Sequence, residues 1–483
     1  MGEHRRRVRP IMKQTVSRRS LIPVDSNRPW PWLRLLVVIT ITIVVVRFAG
    51  SPKETNPESG QPEVVITKTS AVDSAARPRS GPISVPVAAA TPQEIVAAKL
   101  DQFVRGRRAL VLALALEAGI PVPAEVEQFF DLAERGQWAE AEALYAALKV
   151  RRERGEGSGD LSRLSPAMLE TIGVHEAVRD WPAQALLNYG SAILEALPPG
   201  AVYMGGSDPG RFIPTLLNET TAGDRHVVLT QNALADQTYL DYARFLYGDH
   251  VATLTADDSQ RAFQDYMADA AQRLAHDQQF PGEPKQVRPG EDIQRTDDGR
   301  IQVGGQVAVM AINERMLKTL MEKNPDLPFA LEESYPFSSL YEGATLRGPL
   351  VELRAGSGEG EAVIDSARAT QSLNYWRERT QQVLADPETS DSTEARTAYA
   401  RQVLAQAGLM QQHQLPGEAE QAFRLANQLA PGNPEVVQRF VGLLTEQQRI
   451  TDAIPVAEAA LRLAPDNEQF RNLLEELRTR GKN

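Results

Sequence analysis

Two stretches near the C-terminus, LANQLAPGNPEVV (residues 425–437) and LRLAPDNEQF (residues 461–470), align without a gap. Their Leu-Ala-Pro triplets begin at Leu429 and Leu463, thirty-four residues apart. A fixed period of this size indicates stacked supersecondary units. Proline ends one helix before each turn, and alanines spaced along the helices allow two backbones to approach closely. The period therefore predicts repeated antiparallel helical hairpins.

This pattern resembles the tetratricopeptide repeat, a helix-turn-helix unit of thirty-four residues. The resemblance covers residues 397–483 and implies a solenoid whose concave face binds a protein or peptide. A final helix, predicted over residues 467–479, resembles the cap that closes such arrays. Gln406 departs from the family because a large apolar residue is expected there, and Ala457 replaces an aromatic residue. The packing positions of the two units are Ala407, Ala419, Phe423, Ala426 and Pro431, then Val441, Ala453, Ala457, Ala460 and Pro465.

A helical region is also predicted over residues 94–195. Within it, GQWAEAEALYAAL (residues 136–148) resembles the second half of a degenerate repeat, with Ala124 to Glu134 as its partner helix. An ordinary amphipathic hairpin explains the same letters equally well. Either interpretation predicts helices here.

The pattern changes between the helical ends of the chain. Short apolar segments alternate with helical ones over residues 196–355, which predicts a small parallel sheet with crossover helices. The predicted strands are AVYM (201–204), HVVLTQ (226–231), VATL (251–254), DLPFALE (326–332) and ATLRGPLVELR (344–354). The fold class is thus mainly α with a central α/β module, and a helical connector over residues 356–396 leads to the repeats.

The loop Gly205 to Arg211 follows the first predicted strand and precedes a helix. Ligands of open α/β sheets gather at this edge, where glycines let backbone amides approach an anion. The loop matches neither G-x-G-x-x-G nor a Walker sequence, and a tight turn with Asp208 capping the next helix is the favoured alternative. The candidate ligand-binding residues are Ser207, Asp208, Arg211, Asn232 and Asp236.

Residues 196–355 also resemble the soluble C-terminal portions of bacterial membrane proteins related to protein O-mannosyltransferases. The similar stretches are LPPGAVYMGGSDPGRFIPTLLNE, HVVLTQNAL and LRGPLVEL. Gly206-Ser207-Asp208 departs from the G-D-N-D-like motif of those proteins. Their catalysis lies in multispan membrane domains, so the resemblance implies an accessory module and transfers no catalytic residue.

Other candidate chemistry is sparse. There are no cysteines, and the six histidines include no i, i+4 pair, so no metal site and no cofactor are predicted. Glu332-Glu333 and Asp257-Asp258 are interpreted as solvated acids, and residues 281–305 as a loop that covers the strand ends or only connects. Catalytic residues remain unknown, and a non-enzymatic function is favoured.

Near the N-terminus, WPWLRLLVVITITIVVVRFAG (residues 30–50) predicts a membrane anchor over residues 30–49. Nineteen helical residues span roughly 28 Å, close to the hydrocarbon thickness of a bilayer. The basic tail of residues 1–29 should stay in the cytoplasm, which places the remainder outside it. Residues 50–93, rich in proline and serine, are expected to form a disordered tether.

The net charge of the chain is −11. Because the N-terminal tail is basic, the remainder of the chain, called the body below, is more acidic than this value indicates. Such a body excludes nucleic acid as a partner. Two hypotheses follow. The first is an inner-membrane, single-pass protein whose extracytoplasmic repeats mediate protein–protein interaction or scaffolding in a bacterial envelope. The alternative is an accessory or catalytic module that acts on envelope glycans or glycoproteins through the 205–211 loop.

Overall fold

The computed structural model describes residues 90–155, 159–296, 301–354 and 364–481. The predicted basic tail, the predicted anchor and nearly all of the predicted tether therefore lie outside the described residues. Among the helices that are described, none is long and apolar enough to cross a membrane.

Five helices precede the first strand. The longest, α1, begins with a capping box in which Thr91 and Glu94 satisfy each other's backbone N–H groups. It ends at Gly119, whose φ of +62° is the left-handed conformation that favours glycine. The predicted helical region is confirmed, with helices α1 (Pro92–Ala118), α2 (Ala124–Glu134), α3 (Trp138–Glu153), α4 (Gly159–Asp180) and α5 (Ala183–Ala196).

The central module alternates strands and helices, as predicted. Its elements are β1 (Val202–Gly205), α6 (Asp208–Glu219), β2 (Val227–Thr230), α7 (Gln237–Tyr247), α8 (Ala256–Gln279), β3 (Asp292–Arg295), β4 (Ile301–Gly304), α9 (Gln306–Lys323), β5 (Phe329–Glu332), β6 (Ala344–Arg347) and β7 (Leu350–Leu353).

The main sheet is mixed, so the prediction of a parallel sheet is only partly right. Its strand order is β2-β1-β5-β7-β6. The first three strands are parallel, whereas β7 pairs antiparallel with both β5 and β6. The antiparallel edge arises because only Gly348 and Pro349 separate β6 from β7, and a two-residue loop joins only antiparallel strands. Gly348 adopts the positive φ of +51° that such a turn needs.

Two further predictions in this module are wrong. The segment VATL, residues 251–254, is not a strand, although Val251 and Leu254 are buried. The Asn324 side chain takes the place of a strand partner: its Oδ1 accepts from the Ala252 N–H at 2.8 Å, and its Nδ2 donates to the Ala252 carbonyl at 3.0 Å. Residues 281–305 contain the antiparallel pair of β3 and β4, whose strands DIQR and IQVG are too short and too polar to give an apolar run.

The C-terminal helices form consecutive hairpins, as the thirty-four-residue period predicts. All the alanine, valine and phenylalanine packing positions of the two units are at most 3% exposed, whereas Pro431 and Pro465 lie just beyond helix ends. The helices are α10 (Ser366–Ala385), α11 (Pro387–Asp391), α12 (Thr393–Gln412), α13 (Pro416–Leu429), α14 (Pro434–Glu446), α15 (Ile450–Leu463) and the capping helix α16 (Glu468–Arg480).

A buried glutamine joins the hairpins to the sheet. Gln406 of α12 is fully buried. Its Oε1 accepts from the Ser372 hydroxyl at 2.6 Å and the Trp376 indole at 3.0 Å, and its Nε2 donates to the carbonyls of Gly348 and Leu350. The polar departure from the repeat pattern thus holds α12 to the β6–β7 turn.

Candidate functional site

The carboxyl ends of β1, β2 and β5 meet at one edge of the sheet. The three strands are parallel and adjacent, with Gly205 in register with both Thr230 and Glu332. The loop from Gly206 to Ser207 therefore lies beside the residues that follow β2 and β5. This is the edge at which open α/β sheets bind ligands.

A carboxylate of the same chain accepts hydrogen bonds from the backbone amides of this loop. Glu332, only 1% exposed, accepts hydrogen bonds through Oε2 from the N–H groups of Gly206 at 3.0 Å and Ser207 at 2.8 Å. Its Oε1 accepts from the Ser207 hydroxyl at 2.7 Å. These donors precede the positive end of α6, where an anion is stabilised. The loop has the donor arrangement of an anion site, and Glu332 supplies the anion.

The loop glycines make this close approach possible. A Cβ added to Gly210 would lie 2.0 Å from Glu332 Oε2, and one added to Gly206 would lie 2.3 Å from Gln231 Oε1. Both distances are far below a permitted contact. The glycines therefore accommodate neighbouring groups of this protein.

The rest of the edge is a network of side-chain amides and hydroxyls. Asn232 donates to the Gly206 carbonyl at 3.1 Å and accepts from the Ser334 hydroxyl at 3.1 Å. Gln231, fully buried, accepts from the N–H and hydroxyl of Ser334 and donates to the Tyr335 carbonyl. Sequence reasoning missed Glu332, Gln231 and Ser334, although all three follow or end strands that meet at this edge.

The five candidate residues thus have different surroundings. Ser207 is the N-cap of α6 and accepts from the Gly210 N–H at 3.1 Å, so the prediction that Asp208 caps this helix is wrong. Asp236 is the N-cap of α7, and its carboxylate accepts from the N–H groups of Thr238 and Tyr239.

Asp208 and Arg211 have surroundings of a different kind. The Asp208 side chain is exposed at the start of α6, yet the surrounding protein desolvates it and raises its pKa, an effect that Arg211 and Arg401 oppose. The Arg211 guanidinium lies over the Phe212 ring, 4.4 Å from its centre. Its Nε is buried without a hydrogen-bond partner among the described residues.

The predictions for the adjacent acids need correction. Glu332 and Glu333 are both buried, at 1% and 6% exposure, so the interpretation of this pair as solvated is wrong. Glu333 accepts from the Tyr341 hydroxyl at 2.6 Å and the Phe337 N–H at 3.0 Å, and burial raises its pKa to about 7. Of the other pair, Asp257 is exposed, whereas Asp258 is buried in a capping box with Thr255.

One surface of the repeats remains open. The inner helix α12 packs against the module, where Gln412 donates to the Ser338 carbonyl and the His413 ring contacts the Tyr341 carbonyl at 3.1 Å. On α14, Gln438, Gly442 and Thr445 share one helical face by their spacing. A Cβ added to Gly442 would meet nothing within 4 Å, so this face has room for a partner.

The consecutive hairpins define the class of this part of the chain: an α-helical repeat. A family model described as tetratricopeptide repeat matches residues 409–477, which confirms the repeat prediction for the segment that runs from α12 to α16. No curated protein and no solved structure matches the chain. The resemblance of residues 196–355 to proteins related to O-mannosyltransferases therefore has no support from these comparisons.

Proposed function

We propose that this protein is a membrane-anchored interaction protein whose tetratricopeptide repeats bind a protein or peptide partner in the bacterial envelope. The observation that carries the proposal is the repeat match over residues 409–477, because helical repeats of this kind present extended binding surfaces. The open face of α14, defined by Gln438, Gly442 and Thr445, is the proposed contact surface.

The alternative function, a ligand-binding or catalytic module at the 205–211 loop, is less well supported by the geometry. Its backbone amides already hydrogen-bond to Glu332, so a phosphate or a substrate carboxylate would have to displace an internal ligand. A displaced, unpaired carboxylate in this buried position would be costly. The repeats remain the favoured working surface.

The test places an arginine on the proposed surface of the full-length protein. Gly442→Arg adds a long side chain to α14 at a position with open space, and it removes a helix-interior glycine that costs about 1 kcal/mol relative to alanine. The fold should therefore persist. Gly417→Arg is the matched control, because Gly417, an exposed glycine on α13, likewise has open space around an added Cβ.

The readout is cross-linked capture from membranes, with the retained proteins identified by mass spectrometry. We expect a specific protein to be retained by the wild type and by Gly417→Arg, and to be lost or reduced about tenfold with Gly442→Arg. Equal retention by all three forms would contradict the α14 surface. The absence of any specific protein from the wild type would contradict the interaction function itself.

A further inference from the structure

The exposed face of α1 has an unusual composition for a solvated surface. Leu112 is 51% exposed and Leu116 is 84% exposed, and Ala109 and Ala113 are also exposed beside them. Their spacing of three and four residues aligns the four side chains on one side of the helix. Single exposed leucines are ordinary, but a continuous apolar stripe indicates an interaction surface.

Charges bound this stripe at its two ends, and they have opposite signs. Arg105 precedes it and Glu117 follows it, and both side chains are exposed. Neither forms an ion pair within the part of the chain that the structure describes. Gly106 lies between the stripe and Arg105. It is exposed, and a Cβ added there would meet nothing within 4 Å.

We infer that α1 docks antiparallel against α1 of a second copy of this chain. With the two-fold axis beside Val111, Arg105 lies level with Glu117 of the second copy, and Leu116 lies level with the second copy's Gly106. Ala109 then lies level with Ala113 of the second copy. Leu116 thus meets a glycine, Leu112 lies level with the apolar Leu110 of the second copy, and each end of the stripe meets the opposite charge. A self-complementary patch of this kind defines an isologous dimer.

The charges distinguish this arrangement from its alternatives. A parallel pair would place Arg105 against Arg105 and Glu117 against Glu117, and like charges at close range disfavour that orientation. The 27 residues of α1 make a helix about 40 Å long, and glycine and alanine along its exposed side permit close approach of two backbones. The second copy is thus favoured on both shape and charge.

The chain has no cysteine, so single-cysteine variants of the full-length protein report contacts directly. Leu112→Cys lies close to the proposed axis, so its two copies should be within disulfide reach. In the antiparallel arrangement, two copies of Ile95→Cys would lie roughly 48 Å apart along the axis. Phe263→Cys, on α8 and 39% exposed, measures cross-linking by random collision.

In native membranes under mild oxidation, we expect Leu112→Cys to form a disulfide-linked dimer at least about ten times faster than Ile95→Cys or Phe263→Cys. Adding Gly106→Arg should abolish this difference, whereas adding Gly417→Arg should preserve it. Gly106→Arg leaves the isolated fold intact because the added side chain has open space.

Three results would overturn the inference. Cross-linking of Leu112→Cys at the rate of Phe263→Cys would show that this face does not meet its own copy. Rapid cross-linking at both Leu112→Cys and Ile95→Cys would indicate a parallel pair. Resistance of the Leu112→Cys cross-link to Gly106→Arg would place the contact elsewhere.

Discussion

Two neighbouring glutamates at the end of β5 have opposite surroundings. Glu332 points to the α6 side, where it accepts three hydrogen bonds from Gly206 and Ser207. Glu333 accepts from Tyr341 and Phe337. Successive side chains of a strand point to opposite faces, so a single dipeptide stabilises the loop on one side and the 3-10 turn at residues 338–343 on the other.

At Glu332 we predict that substitution by glutamine destabilises the fold. Glu332→Gln replaces an acceptor-only carboxylate with a neutral amide, which keeps one acceptor oxygen for the Gly206 and Ser207 N–H groups and turns an NH₂ donor toward the Ser207 hydroxyl. The free energy of unfolding, measured by urea denaturation, should fall by about 2–3 kcal/mol. Glu342→Gln, at an exposed position, should change it by less than about 0.5 kcal/mol. Equal effects of the two substitutions would contradict the role assigned to Glu332.

At Glu333 we predict a contribution to the pH dependence of stability. Burial raises its pKa from 4.5 to about 7, so the folded protein binds this proton more tightly than the unfolded chain does. The resulting stabilisation is complete below about pH 4.5 and is lost as the pH rises through about 7. The loss is at most roughly 3 kcal/mol.

Urea denaturation at pH 5 and pH 7.5 measures this effect. Glu333→Gln should lose less stability than the wild type between the two pH values. Some loss should remain, because burial also raises the pKa of Glu176 to about 7. An unchanged loss in Glu333→Gln would show that Glu333 does not titrate in this range.

At the scale of elements, the period of the repeats predicted the C-terminal hairpins, whereas no local pattern indicated their junction with the sheet. The family pattern calls for a large apolar residue at Gln406. The structure shows why a polar residue serves here: the carbonyls of Gly348 and Leu350 and the side chains of Ser372 and Trp376 converge on its amide. These hydrogen-bond partners are far from Gln406 in sequence, so the repeat pattern alone does not predict them.

We predict that restoring the family pattern destabilises the protein. Gln406→Leu leaves the carbonyls of Gly348 and Leu350 buried without this donor, so the free energy of unfolding should fall by about 2–4 kcal/mol. Gln428→Leu, on the exposed side of α13, should have an effect within about 0.5 kcal/mol. A more stable Gln406→Leu protein would show that the junction depends on apolar packing instead.

The strands were predicted unevenly for a physical reason. Strands β1, β2 and β5 are buried along their whole length and read as short apolar runs. The β3–β4 pair is largely exposed and polar, so it has no such signal. The loop at 205–211 was recognised from its glycines, but the identity of its anion depended on tertiary register between β1 and β5.

At the scale of the whole molecule, the repeats and the sheet are joined through their cores. The rings of Tyr399 in α12 and Tyr189 in α5 lie 5.2 Å apart, edge to face, and both are buried. Arg107, in α1, forms an ion pair with Glu170 of α4 at 2.8 Å and approaches Glu219 of α6. These contacts link the N-terminal helices to the first repeat and to α6 of the central module, while Gln406 holds α12 to the β6–β7 turn.

We therefore predict that a chain ending at Thr397 loses more than its repeats. Removal of the rest of α12 exposes Tyr189 and the β6–β7 turn. The truncated protein should show hydrogen exchange at least about a hundredfold faster in β5 and β7 than the full chain does. A chain ending at Leu463 keeps α12 and is the matched control. Native protection of β5 and β7 in the shorter chain would contradict a shared core.

The proposed topology is tested with cysteines introduced on either side of residues 30–49. A membrane-impermeant maleimide should label Ser70→Cys in intact cells, whereas Ser26→Cys should react only after lysis, because the basic flank favours the cytoplasm. The inverse pattern would place the body in the cytoplasm. Labelling of both positions in intact cells would contradict a retained anchor.

The carboxylate at the 205–211 loop also has a consequence for engineering. The Glu332 carboxylate fills an anion site that is built by its own chain. Glu332→Gly would therefore leave the amide donors around an empty cavity of the size of a carboxylate. Free formate or acetate would then bind in that space, and the free energy of unfolding should rise with the logarithm of the acid concentration once that concentration exceeds the dissociation constant. The stability of the Glu332→Gly protein would then be controlled by an added small molecule.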